Sequence, residues 1–286
     1  MKIQALFGFI LCFGLTAGLE AQFYYSDLLG LKQSEQQQQL YRSLRVKQIR
    51  STAIQPSGEA QSGFQESIQI VPTGDTVQRV QNLEGVFATT MLVYAPTGRL
   101  LQQQENRSGY QSQITYYYTP TGQVDRLENR ITDSLSDFHN REIHRWAYDS
   151  KGNPHKMWRI LEKSENEWDT TEIRLVTDSS GLVTEERSFK NGRETGFYYY
   201  YYNEQRQLTD IVRYHERFKR LLPDQLFEYD ERGRQIQRML LTGNQVATYL
   251  IWRYGYLADG LLSEEALFNN KKEYTGSIRY VYTVYE

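Results

Sequence analysis

The stretch Phe227-Glu228-Tyr229-Asp230-Glu231-Arg232-Gly233-Arg234-Gln235-Ile236 is a strand ending in an aromatic, a polar turn and a second strand. Phe227 and Tyr229 are two residues apart, so in an extended chain their rings share one face and pack on a neighbouring strand. Asp230 opens the turn because its carboxylate accepts hydrogen bonds from amides just ahead, and Gly233 closes it because a positive φ is cheap without a Cβ. A type I turn followed by a left-handed glycine is a common hairpin closure.

The frame recurs along the chain. Asp149 with Gly152, Asp178 with Gly181 and Asp259 with Gly260 repeat it, and proline takes the place of aspartate before Gly74, Gly98 and Gly122. In Tyr202-Asn203-Glu204-Gln205-Arg206 an arginine stands where the frame wants glycine. The turn-closing positions 74, 98, 122, 152, 181, 206, 233 and 260 lie 24 to 30 residues apart. A period within roughly 20–50 residues marks a repeat array whose single units cannot stand alone. These spacings predict an all-β fold: one domain, an antiparallel meander of about eight hairpins in a twisted or curled single-layer sheet, with a short N-terminal helix.

The aromatic-Tyr-Asp-x-x-Gly frame, over residues 65–286, resembles the YD repeat of RHS-type and teneurin-type proteins, a unit also found in short envelope proteins of Bacteroidetes-like bacteria. Residues 189–199, Phe-Lys-Asn-Gly-Arg-Glu-Thr-Gly-Phe-Tyr-Tyr, resemble a MORN-type repeat. Both resemblances imply hairpin arrays, and neither implies a catalytic residue. The RHS resemblance would imply a large β-cocoon around a toxin, but this chain has too few hairpins for a shell and lacks an RHS core signature or effector region.

Outside the repeats, residues 1–21 read as a Sec signal peptide: Lys2, an uncharged run from Ile3 to Leu19, and Ala21 before the cut. An uncleaved membrane anchor is the alternative. Cleavage removes Cys12, the only cysteine, so the exported chain has no thiol chemistry. Residues 22–55 read as a cap, with a helix from about Gln33 to Arg45 started by a Ser34/Gln37 capping box and a strand from Val46 to Ile54. The helix is expected to cover the first sheet edge, or to dock a partner. The repeat domain spans residues 56–286.

The chain of 286 residues carries a formal net charge of −2 and 14% aromatics, with 23 tyrosines. That composition excludes disorder and offers no basic excess for nucleic acid. The four histidines are read as surface residues, with no metal-ligand spacing among them. Glu185-Glu186 and Glu264-Glu265 are adjacent in strands and point opposite ways, so a glycosidase pair would need carboxylates from separate repeats. One aspartate per turn reads as turn capping rather than calcium ligation. No cofactor motif is present. Six consecutive aromatics, Phe197 to Tyr202, must place three rings on each sheet face. Tyr198, Tyr200, Tyr202, Trp252 and Tyr254 are therefore expected at the surface, as binding residues for an envelope protein, glycan or lipid. The expectation is a non-enzymatic, exported module of the periplasm, outer membrane or cell surface, which meets a membrane only through an uncleaved leader. Two alternatives are an envelope polysaccharide hydrolase and an outer-membrane β-barrel.

Overall fold

The computed structural model describes residues 23–134, 138–164, 167–215, 218–242 and 248–286; the segment read as a signal peptide lies outside them. One helix, α1 (Ser26–Ser43), precedes eighteen strands among the described residues. These are β1 (Val46–Ile54), β2 (Phe64–Ile70), β3 (Thr76–Leu83), β4 (Val86–Tyr94), β5 (Leu100–Arg107), β6 (Tyr110–Tyr118), β7 (Val124–Asp133), β8 (Phe138–Tyr148) and β9 (Pro154–Ser164). Then follow β10 (Glu167–Thr177), β11 (Val183–Lys190), β12 (Arg193–Tyr202), β13 (Leu208–His215), β14 (Arg220–Tyr229), β15 (Gln235–Thr242), β16 (Thr248–Tyr256), β17 (Leu262–Phe268) and β18 (Tyr274–Val284). Each strand pairs antiparallel with the next. β18 then returns to β1, with Val284 opposite Val46 and Ser277 opposite Ile54.

The sheet is therefore a closed eighteen-strand barrel, which corrects the expected open single-layer meander of about eight hairpins. Strand twist and tilt curl a long meander until its ends meet, and closure removes the unpaired edges that the helix was expected to cover. The segment from Val46 to Ile54, expected as part of a cap, is instead the stave that closes the ring.

The hairpin turns at one rim follow the repeat. Gly98, Gly122, Gly152, Gly181, Gly233 and Gly260 have φ between +79° and +93°, and Arg206 takes the same left-handed conformation at +62°. Asp149, Asp178 and Asp230 each accept amide hydrogen bonds two and four residues ahead; Asp259 accepts one from Leu261.

The repeated tyrosine does a separate task. Successive hairpins splay apart at this rim: pairing of β13 with β14 starts at Asp210–Leu226, which leaves the Leu208 carbonyl beyond the ladder. The Tyr229 hydroxyl donates to that carbonyl at 2.7 Å. Tyr202, Tyr256 and Tyr282 do the same for Val183, Gln235 and Leu262 at 2.7–2.8 Å, and Tyr118 for Leu100 at 2.5 Å. Each acceptor lies two residues past the turn-closing residue of the hairpin before, so the tyrosine spacing is a hydrogen-bond requirement between repeats.

Candidate functional site in the barrel lumen

α1 lies inside the barrel and crosses it near this rim. At its C-terminal end Gln38 donates to the Gly74 carbonyl at 2.5 Å, and Arg42 to the carbonyls of Thr73 and Pro96 at 2.9–3.1 Å. In its middle, Ser34 meets the Tyr94 hydroxyl at 2.8 Å, and Glu35 accepts from the Leu100 amide at 3.1 Å. The helix begins seven residues before the expected Gln33 start, so Ser34 is mid-helix and caps nothing. Around it pack Ile49, Ile68, Leu100, Trp146, Met157, Ile173 and Ile211, all inward-facing and buried.

The N-terminal end is held by strand side chains. The cap residue Tyr25 provides no side-chain cap. Glu186 on β11 supplies one, accepting from the amides of Tyr24 and Tyr25 and from the Tyr200 hydroxyl, each at 2.8 Å. A carboxylate at a helix N-terminus satisfies orphan amides and meets the positive end of the dipole. Burial nevertheless outweighs these bonds and pushes the Glu186 carboxyl up to about 7.

Beside it runs a buried chain of charges. Asp27 meets His144 Nδ1 at 2.7 Å, His144 Nε2 meets Glu142 at 2.7 Å, and Arg159 donates to Glu142 at 2.5 Å. Burial alone would lower the imidazole, but the charge and hydrogen bond of Asp27, followed by those of Glu142, raise it to about 9. Burial alone would raise Glu142, but bonds and charge from His144 and Arg159 hold it at about 2. His144 is thus a fully buried imidazolium between two carboxylates, which corrects its reading as a surface residue.

The four tyrosines and one tryptophan expected at the surface all face inward. Tyr198 and Tyr200 are only 3% and 2% exposed, and Phe23 packs on both rings. Tyr202, Trp252 and Tyr254 are half-buried on the same lumen face. Alternation does split the aromatic run, with Tyr201, 51% exposed, on the outside. A helix at the sheet edge would leave the inner rings uncovered; inside the ring, Phe23 and Tyr25 cover Tyr198 and Tyr200.

The carboxylate pairs split as alternation requires. Glu186 and Glu265 are buried in the lumen, while Glu185 and Glu264 face out. Burial, together with the nearby charge of Glu66, pushes Glu265 up to about 8. Carboxylates from different strands do gather inside, but Glu142 and Glu186 are each committed to fixed partners. Among the described residues no cluster of three or more His, Cys, Asp or Glu is arranged to hold a metal ion.

Beside the helix and beyond it the lumen wall also carries polar pairs. Arg79 with Glu66, Ser112 with Asn129, Arg159 with Glu142 and Arg213 with Asp224 all project inward. The side chains of Arg159 and Arg213 keep 26% and 20% exposure, so solvent reaches them inside a closed ring. The dimensions agree. Eighteen tilted strands enclose a ring roughly 35 Å across. An eighteen-residue helix about 27 Å long and 10–12 Å thick can cross it but fills only one layer of its depth.

The outer face is also polar. Glu128 bridges Arg130 and Arg141 at 2.7–2.8 Å, Glu172 bridges Arg174 and Lys156 at 2.6–3.4 Å, and Arg187 holds Glu185 at 3.0 Å. These pairs sit in mid-strand, one residue from inward Leu127, Ile173 and Glu186. Among the described residues no helix is long and apolar enough to cross a membrane, which leaves strands aside.

No protein-family model matches the chain, and no curated protein does. Among solved structures, a porin-like protein from Bacteroides uniformis is similar over 83% of this chain and 98% of its own, at 10% identity and TM-score 0.43. A TcdB2–TccC3–Cdc42 assembly aligns with 82% of this chain and 16% of its own, at 11% identity and TM-score 0.33. A Photorhabdus luminescens Tc holotoxin pore aligns with 77% and 16%, at 12% and TM-score 0.31. Likenesses this distant carry no functional conclusion to this chain.

Proposed function

We propose that this chain is a non-enzymatic β-barrel exported to the cell envelope, sealed in one half by its own helix, and acting as a binding module through the solvent-reached half of its lumen. The observation that supports this most directly is that a closed ring whose wall packs apolar residues around α1 also carries inward Arg–carboxylate pairs, Arg159–Glu142 and Arg213–Asp224, that water reaches. Buried charge pairs are costly where only stability is at stake, so a wet polar lumen wall is a feature of a site more than of a core. Titrating the purified chain with envelope extract tests the reading. A rise in melting temperature and a change in tryptophan fluorescence are expected; unchanged values of both refute it.

A second reading, an outer-membrane barrel, is favoured by closure itself, since an even-numbered antiparallel meander is the topology of bacterial outer-membrane barrels. Such barrels present an outward apolar band about 25 Å tall, whereas mid-strand ion pairs stand on this face. Heat-modifiable gel migration with recovery in the outer-membrane fraction supports the membrane reading. Recovery in the soluble periplasmic fraction supports the wet barrel.

A further inference from the structure

On β13–β17 the inner wall carries a combination that packing alone does not require. Trp252 is half-buried and faces the lumen directly opposite Arg238 on the paired strand, whose guanidinium centre stands 5.9 Å from the indole. Arg238 Nε donates to Gln225 Oε1 at 3.2 Å. One strand further on, Arg213 Nε lies 2.8 and 2.6 Å from the two oxygens of Asp224. A half-buried indole ring, a guanidinium held from behind by the buried Gln225, and a planar ion pair thus share one wall of the lumen.

We propose that this wall binds a neutral saccharide, with Trp252 as the stacking face, Arg238 and the Arg213–Asp224 pair as hydroxyl partners, and the buried Gln225 positioning Arg238. A sugar hydroxyl both donates and accepts, so it matches groups that set donors beside acceptors; an ion needs one sign only. Here Asp224 neutralises Arg213, and Arg238 bonds to Gln225 beside the largely protonated Glu265, so the wall carries little more than one net charge. The indole supplies the apolar plane that the CH face of a pyranose covers, and a site built of one flat ring and a few convergent polar groups is the usual make-up of a small-molecule pocket. Trp158 and Trp168, on the outer face, have cations over their rings too, but on an open convex surface.

This inference rests on the binding reading above, and the test keeps the two apart. Calorimetry and tryptophan fluorescence on the full chain use cellotriose, maltotriose and triacetylchitotriose, with trigalacturonate as the anionic probe. At least one neutral trisaccharide is expected to bind. Trp252→Ala should weaken it about tenfold or more, Trp252→Phe should weaken it less, and Trp168→Ala should leave it unchanged. No heat from any neutral probe at millimolar concentration overturns the saccharide assignment, as does binding indifferent to Trp252→Ala, or trigalacturonate binding as tightly as the best neutral probe. If the alanine variant does not fold, the phenylalanine variant and Gln225→Ala carry the same comparison. Should the trisaccharides fail while envelope extract still raises the melting temperature, the saccharide class falls and the binding module stands; if both fail, both fall.

Discussion

Glu186→Gln separates two opposite effects of one buried carboxylate. In the wild type Glu186 accepts three hydrogen bonds at the start of α1, and its removal from water raises its carboxyl from 4.5 to about 7. That rise corresponds to about 3 kcal/mol between the protonated and ionised folded states. Because the folded pKa lies above the unfolded one, the stability linked to this proton is fully present below pH 4.5 and is lost as pH rises through 7. Glutamine imitates the protonated side chain at every pH. At pH 4.5 the variant should match the wild type within about 1 kcal/mol, the worth of one amide donor facing the Tyr25 N–H. At pH 8 it should be more stable by about 2–3 kcal/mol. Urea unfolding followed by far-UV circular dichroism at the two pH values measures this. A variant less stable than the wild type at pH 8, with the same deficit at pH 4.5, would mean that the charge-assisted cap outweighs desolvation, and the account of the helix N-terminus would be wrong.

His144→Leu should cost about 3–5 kcal/mol at pH 6, because Asp27 and Glu142 are left as buried carboxylates without their shared cation. The imidazole is raised to about 9, so its contribution is present below pH 6.5 and lost as pH rises through 9; the deficit in urea unfolding should shrink by pH 9.5. Tyr229→Phe should cost about 1 kcal/mol by leaving the Leu208 carbonyl uncapped, and a loss of the same size is expected for Tyr256→Phe. A cost indistinguishable from zero at both would remove the inter-repeat role of the hydroxyl. Gly233→Ala should cost about 1–2 kcal/mol, since φ there is +79° and an added Cβ meets Gln207 Nε2 at 3.0 Å. Gly196→Ala, where a Cβ meets nothing within 4 Å, is the comparison that should stay near neutral in the same melts.

What was readable in the chain is what a few neighbouring residues decide. A turn that needs an amide acceptor at Asp230 and a positive φ at Gly233 announces itself within four residues, and so does the two-residue alternation that sends Glu185 and Glu186, or Tyr200 and Tyr201, to opposite faces. Closure was not readable, because β1 and β18 meet across more than two hundred residues and no local signal says how far a meander curls before its ends pair. From that one missing fact the other errors follow. With an open sheet, both faces are outside, so Tyr198 and Tyr200 read as a display and His144 as a surface residue; in a ring, one face becomes an interior that something must fill. The Gln-rich segment before β1 gave no sign of being that filler, since only Leu31, Gln38 and Tyr41 of α1 are buried and its background is polar. Polar side chains on a helix inside a barrel are tolerable here because the wall answers them one by one, Gly74 for Gln38, Tyr94 for Ser34, His144 for Asp27. The readable hint was on the wall, in Glu142 and His144 two apart in a strand whose same face continues to Trp146. A face that alternates titratable groups with tryptophan is poorly suited to either a solvent surface or a dry core, and suits a lumen that holds both a helix and water.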